Sequence, residues 1–153
     1  MIQDAHPYWH VRSIVESRPD ILSLSFSYYS YVPQTVDDIR TSWKLSSMEF
    51  LDPDLVETMI TRVPIGHELA LHSNVLLSSG EIEHIVMVDM STGSKAHLNK
   101  LRTFLGGNFF QQIAWYSSGR SFHGYGGQLL TGDEWVKFMG LLLLVNKPRL
   151  EHT

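Results

Sequence analysis

The sequence of 153 residues contains no cysteine. This absence excludes a disulfide-stabilised fold, a zinc site with thiolate ligands and a cysteine nucleophile. Long apolar segments are also lacking: the longest runs from residue 138 to 145, whereas a transmembrane helix needs roughly 20 apolar residues. The N-terminal residues do not combine a basic segment with an apolar core, as a secretory signal would. We therefore expect a cytoplasmic protein that has no membrane partner.

Acidic residues are missing from the middle of the chain. The formal net charge is −4, and residues 1–89 hold 13 acidic and 5 basic side chains. Residues 90–132 hold no acidic side chain but four basic ones, Lys95, Lys100, Arg102 and Arg120. Such a segment favours an anionic ligand if its charges share one face. The alternative is a solvated surface that lacks acids by chance.

The length and composition are those of an ordinary globular protein and predict a single domain over residues 1–153. In the first half, Pro7 opens a predicted helix over residues 8–17. Alternation over residues 21–28 predicts a half-buried strand with Leu22, Leu24, Phe26 and Tyr28 on one face. Two further helices are predicted, one from Thr35 to about residue 44 and one from residues 52–53 to just before Pro64.

In the second half, predicted strands alternate with predicted helices. The strands cover residues 68–77, 82–90, 109–116 and 120–125, and Gly126 and Gly127 break the last one. The helices cover residues 96–105 and a segment capped by Thr131. Together these elements predict an α/β (α+β) fold in which helices pack on a mixed sheet.

Asp89 is the first candidate for a functional residue. It ends the most apolar predicted strand, and α/β sheets place ligands beyond the ends of their strands. A carboxylate at such a position is costly to bury unless it meets a cation or hydrogen-bond donors. Asp89 is therefore either a ligand for a divalent metal such as Mg²⁺ or a cap for the segment that follows.

The segment from Ser117 to Gly127 is the second candidate. A period of two places Ser121, His123 and Tyr125 on one face of the predicted strand and Arg120 on the other. A hydroxyl and an imidazole that project together suit phosphate oxygens, because both groups can donate hydrogen bonds. The glycines at both ends permit close approach of a bulky ligand. The alternative is a Gly-rich hairpin whose histidine has a structural partner.

Together these two segments resemble the core of the archaeo-eukaryotic primases and primase-polymerases. The family has an acidic motif of two aspartates one residue apart, which aligns with Asp89-Met90-Ser91. Its second motif, a small residue, any residue and histidine, aligns with Ser121-Phe122-His123. The extended sequence is most similar to the bacterial primase 1D-like proteins, and the resemblance covers residues 68–147. It implies a primase-like catalytic core with an RRM-like half.

The resemblance also implies roles for the candidate residues. Asp89 and His123 would be the catalytic residues, with Asp89 holding Mg²⁺ or Mn²⁺. Ser121, His123 and, in second rank, Arg120 would contact the triphosphate of a nucleoside triphosphate. The positive segment would contribute Lys95, Lys100 and Arg102 as contacts to DNA or RNA.

Two departures from the family pattern bear on activity. Ser91 replaces the second aspartate, and the third acidic residue, expected on a later strand, has no counterpart before Thr153. Two-metal phosphoryl transfer relies on closely spaced carboxylates. The sequence therefore leaves two functions open. One is a primase-like nucleotidyltransferase of reduced activity. The other is a catalytically degenerate subunit that binds nucleic acid or assembles with protein partners, for example in a bacterial defence system.

Other chemistry has less support in the sequence. Four histidines, His67, His72, His84 and His97, lack the spacing of metal ligands, and the Gly-x-Ser-x-Gly turn of serine hydrolases is absent. Four aromatic residues, Tyr28, Tyr29, Tyr31 and Trp43, either stack on nucleic-acid bases or belong to the core or to an interface.

Overall fold

The computed structural model describes residues 1–30, 39–90, 93–117 and 121–145. These residues form six helices and six strands in the order α1 (Pro7–Ser17), β1 (Ile21–Ser30), β2 (Ile39–Ser46), α2 (Ser47–Leu51), α3 (Pro53–Thr61), β3 (Glu68–Leu77), β4 (Ile82–Asp89), α4 (Lys95–Leu105), α5 (Gly107–Gln111), β5 (Ala114–Ser117), β6 (Phe122–Leu130) and α6 (Gly132–Val145). The fold is mixed α+β, which confirms the predicted class. Within the described ranges, no helix combines the length and apolar character that crossing a membrane requires.

The chain divides into two compact units, Met1–Glu83 and His84–Thr153. In the first unit, β1 lies between β2 and β3 and is antiparallel to both. Phe26 of β1 stacks on Phe50 of α2 with 5.9 Å between ring centroids. The Trp43 indole N–H of β2 donates to the Met59 sulfur of α3 at 3.3 Å. These contacts identify the face of the strands that the helices cover. That the whole chain is one domain stays a prediction.

Two predictions for the first unit are wrong. Residues 39–46 form strand β2 rather than part of a helix, because Trp43 and Leu45 pair with Phe26 and Leu24 of β1. The residues that signalled the start of that helix, Thr35, Asp37 and Asp38, lie outside the described residues. Leu22 is 52% exposed rather than buried, because a register shift between Ile21 and Ser23 interrupts the alternation of β1.

Helix α2 was not among the predicted elements, although its signal is in the sequence. The Ser46 hydroxyl accepts a hydrogen bond from the Glu49 amide at 3.1 Å, and the Glu49 carboxylate accepts one from the Ser46 amide at 2.9 Å. This reciprocal pair is a capping box, for which Ser-x-x-Glu is the sequence pattern. The predicted helices at Pro7 and Pro53 and the strand over residues 68–77 are confirmed.

In the second unit, β6 lies between β4 and β5 and is antiparallel to both. Helices α4 and α6 pack on one face of these strands. The shared core consists of Val86, Val88, Met90, Leu101, Ile113, Leu130, Phe138, Leu142 and Val145, and the half-buried Trp115 and Phe122 pack against it. Since side chains alternate along a strand, Tyr116 and His123 lie on the face opposite to these helices.

The sequence prediction for residues 109–125 needs correction in two places. Residues 107–111 form helix α5, and only residues 114–117 form the strand β5. Strand β6 continues through Gly126 and Gly127 to Leu130 rather than ending before them. A helix and a strand both accommodate a short run of apolar residues, so periodicity alone does not separate them.

Two glycines of β6, Gly124 and Gly126, serve core packing. A Cβ atom on Gly124 would lie 2.7 Å from side-chain atoms of both Ile113 and Trp115. On Gly126 it would lie 2.4 Å from the Val86 Cβ. Both distances are too short for real carbon atoms, so the absent side chains let the core pack tightly against the strand. The expectation that glycines at the ends of the segment permit close approach of a ligand stays a prediction, and Gly119 lies outside the described residues.

Candidate functional site

Asp89 and His123 are direct partners across the β4–β6 pair. The His123 Nδ1 atom lies 3.3 Å from the Asp89 Oδ1 atom. The other imidazole nitrogen, Nε2, lies 3.4 Å from the Ser121 hydroxyl oxygen. The three side chains therefore form a row of carboxylate, imidazole and hydroxyl, in which the imidazole occupies the middle position.

This row lies on the open face of the second unit. Phe122 packs into the core beneath α4 and α6, so its strand neighbour His123 projects to the other side. The Asp89 side chain is 80% exposed and that of His123 is 39% exposed. Both groups are therefore accessible to solvent.

Two tyrosines border the row, and sequence reasoning gave neither of them a functional role. Tyr116 of β5 is the register partner of His123, and its ring meets that of Tyr125 edge to face with 5.8 Å between centroids. Burial raises the pKa of Tyr116. The pKa of Tyr125 is raised chiefly by burial, then by Tyr116 and by the negative charge of Asp89. The alternation Trp115 inside, Tyr116 outside is the sequence signal that points to Tyr116.

Comparison with known protein families establishes the relationship that this geometry suggests. Residues 47–150 match the family described as archaeo-eukaryotic primase 1D-like. The chain belongs to the archaeo-eukaryotic primase 1D-like family. No curated protein and no solved structure matches the chain. The matched region extends beyond the predicted residues 68–147 and includes α2, α3 and every candidate site residue.

In this primase 1D-like chain, the basic residues predicted to bind nucleic acid do not lie on the strand face that carries Asp89 and His123. Lys95, Lys100 and Arg102 are exposed residues of α4. That helix packs on the opposite face through Leu101, which is fully buried in the core. The Lys100 ammonium lies 6.0 Å from the Phe104 ring centroid. Arg120 and Ser91 fall outside the described residues, so the predicted triphosphate contact of Arg120 is not placed.

Asp89 is the candidate metal ligand of the row, and its binding of Mg²⁺ or Mn²⁺ stays a prediction. Within the described ranges, no group of three or more histidine, aspartate or glutamate side chains is arranged to hold a metal. Asp89 offers one exposed carboxylate, and Mg²⁺ is commonly bound by one or two carboxylates together with substrate phosphates. Mg²⁺ prefers oxygen ligands, so the carboxylate is the group in the row that suits it.

Two histidines of the primase 1D-like chain have structural partners away from this row. His72 Nε2 lies 2.9 Å from the hydroxyl of the fully buried Ser27. The His84 ring stacks on Trp135 with 4.4 Å between centroids. Burial lowers the pKa of both, and the positive charge of Arg40 lowers that of His72 further. These contacts give both side chains roles in packing.

Proposed function

We propose that the chain is a primase-like nucleotidyltransferase domain of reduced activity that binds a nucleoside triphosphate against Asp89, Ser121 and His123 and also binds nucleic acid. The observation that supports this most is the contact between Asp89 and His123. It joins the acidic motif and the histidine motif of the family on one open strand face. Both motifs contribute the side chains that the resemblance assigns to phosphate and metal.

The three side chains of the row have different roles because they differ in charge. The imidazole and the hydroxyl can donate hydrogen bonds to phosphate oxygens. The Asp89 carboxylate repels phosphate by itself and attracts it through Mg²⁺ or Mn²⁺. When bound, the metal ion would neutralise part of the negative charge of the triphosphate, and Asp89 would hold the ion.

A catalytically degenerate subunit is the alternative within the same family. It retains the phosphate-binding pair Ser121 and His123 and lacks the set of carboxylates that two metal ions need. Such a subunit binds nucleic acid or nucleotide without transferring a nucleotidyl group. A degenerate subunit would bind nucleotide but show no nucleotidyl transfer, whereas an enzyme of reduced activity would show slow transfer.

A serine hydrolase is a second candidate class, because the order Ser121, His123, Asp89 is that of a hydrolase triad. Two features disfavour it. The Asp89 side chain is 80% exposed, whereas the aspartate of a triad is buried. The Ser121 oxygen is 3.4 Å from the imidazole, which is long for an activated nucleophile. Labelling by a fluorophosphonate probe that Ser121→Ala abolishes would favour the hydrolase.

Calorimetric titration of the protein with ATP in the presence of Mg²⁺ tests the proposed function. A hydrogen bond to a charged group contributes about 1.5–3 kcal/mol, so His123→Ala is expected to weaken binding by about tenfold or more. His97→Ala is the matched control, because it removes an imidazole of the same unit from helix α4. Equal affinity of the wild type and His123→Ala would contradict the proposal, and so would equal losses in the two variants.

A further inference from the structure

We propose that the first unit binds single-stranded nucleic acid on the strand face opposite to Phe50 of α2 and Met59 of α3, through Arg40, Ser42 and Lys44 of β2 and Tyr29 of β1. We call these four residues the β2 edge surface. The inference rests on the proposed function for the class of ligand, nucleic acid. It places that ligand on residues that the proposed nucleotide site does not use.

The register of β1 and β2 assigns these residues to one face. Phe26 and Trp43 are register partners and face the helices, through Phe50 and Met59. One residue further along, Ser27 pairs with Ser42; on either side, Ser25 pairs with Lys44 and Tyr29 with Arg40. Because strand residues alternate, these three pairs share the face opposite to Phe50 and Met59.

The edge strand β2 carries two cations of this face, with a serine between them. Arg40, Ser42 and Lys44 are all exposed, and alternate residues of a strand lie about 7 Å apart. Two cations with a hydroxyl between them can contact successive phosphates of an extended backbone. Glu68 is an acidic residue of the same face, and its carboxylate accepts a hydrogen bond from the Tyr29 hydroxyl at 2.6 Å.

Tyr29 supplies an aromatic ring that would favour binding of single-stranded over double-stranded nucleic acid. The Arg40 guanidinium lies 5.5 Å from the centroid of the Tyr29 ring, and the hydroxyl contact to Glu68 fixes the ring at its other end. The ring is half-buried, so part of it remains in contact with solvent. An unpaired base can stack on such a ring, whereas the bases of a duplex are stacked on each other.

The structure thereby separates the aromatic residues that the sequence grouped together. Tyr28 and Trp43 pack against each other on the helix-covered face, with 4.5 Å between ring centroids. Tyr31 lies outside the described residues. Among the described members of the group, Tyr29 is the one on the opposite face, next to the Arg40 guanidinium.

A charged edge strand also has a purely structural explanation, because exposed charges discourage pairing with the edge of another sheet. Charge reversal separates the two explanations. The double variant Arg40→Glu with Lys44→Glu keeps the edge charged and therefore keeps that protection. It replaces attraction of phosphate by repulsion.

Fluorescence anisotropy with a labelled oligothymidylate tests the proposal in the full chain. We expect Arg40→Glu with Lys44→Glu to weaken binding by more than tenfold. The salt dependence should also become less steep, by about 0.7 in logarithmic slope for each lost phosphate contact. Tyr29→Ala should weaken binding by about tenfold while Tyr29→Phe does not, since base stacking uses the ring alone. Arg40→Gln with Lys44→Gln should give an intermediate loss, and ATP affinity should not change.

The matched control is Arg62→Glu with Lys137→Glu, which changes the net charge equally at exposed positions outside the β2 edge surface. Equal losses in the two charge-reversed proteins would overturn the proposal, because they would reflect net charge alone.

Equally tight binding of duplex DNA with no effect of Tyr29→Ala would also overturn it. A loss confined to Lys100→Glu with Arg102→Glu would contradict the β2 edge surface and leave the proposed function intact. Failure of the wild type to bind ATP with normal oligothymidylate binding would contradict the proposed function alone.

Discussion

The Asp89 carboxylate and the His123 imidazole face each other across two antiparallel strands, with 3.3 Å between Oδ1 and Nδ1. Their separation in sequence is large, but the strand register fixes their separation in space. Each side chain projects from a strand whose opposite face is part of the core. The pair is therefore positioned by packing of the fold rather than by a loop, as a preorganised binding site requires.

The effect of Asp89→Asn should depend on the metal. With Mg²⁺ present, we expect the variant to bind ATP more weakly than the wild type, because the carboxylate that would hold the ion is lost. In EDTA we expect it to bind ATP as well as the wild type or better, because a charge that repels phosphate is gone. Calorimetry in both buffers measures this reversal, and equal weakening in both buffers would contradict it.

Tyr116 should contribute to binding of the base or sugar rather than of the phosphates. Tyr116 is the register partner of His123 on the same strand face, so we expect Tyr116→Ala to weaken ATP binding by about tenfold, as loss of one stacking contact does. Binding of inorganic tripolyphosphate should not change, and Tyr116→Phe should behave as the wild type. A parallel loss for ATP and tripolyphosphate would instead indicate a general disturbance of the site.

The isolated chain should show little or no primer synthesis or extension. One carboxylate stands where the family motif has two, and Ser91 brings no charge to hold a second ion. Incorporation of labelled nucleotides on a primed template, with Mg²⁺ or Mn²⁺, measures the activity. Robust incorporation that Asp89→Ala abolishes would show the prediction wrong and establish an active enzyme.

Gly126→Ala should destabilise the protein without touching the open face. The new methyl group would lie 2.4 Å from the Val86 Cβ, and overpacking of this kind costs about 1–3 kcal/mol. Gly127→Ala is the control, since the nearest atom to its methyl group is the Gln112 carbonyl oxygen at 3.5 Å. For this exposed position we expect a change of less than about 0.5 kcal/mol in the free energy of unfolding. Denaturant unfolding of both variants checks the difference.

Much of the fold could be predicted from local patterns. Prolines at helix starts, the alternation over residues 21–28 and the apolar run ending at Asp89 each identified an element with nearly correct bounds. The errors arose where two local signals compete. Residues 39–46 became a strand because β1 offers them a partner, and residues 107–111 became a helix within an apolar run that suits either state.

The sequence by itself determined the class of fold, the family and the two motifs, because periodicity and motif spacing are local properties of the chain. Tertiary structure alone decided that Asp89 meets His123, that Tyr116 borders them, and that α4 carries its cations on the other face. It also separated Tyr29 from Tyr28 and Trp43. Strand register and the side on which helices pack decide these relationships, because a shift of one residue turns every side chain of a strand to the opposite face.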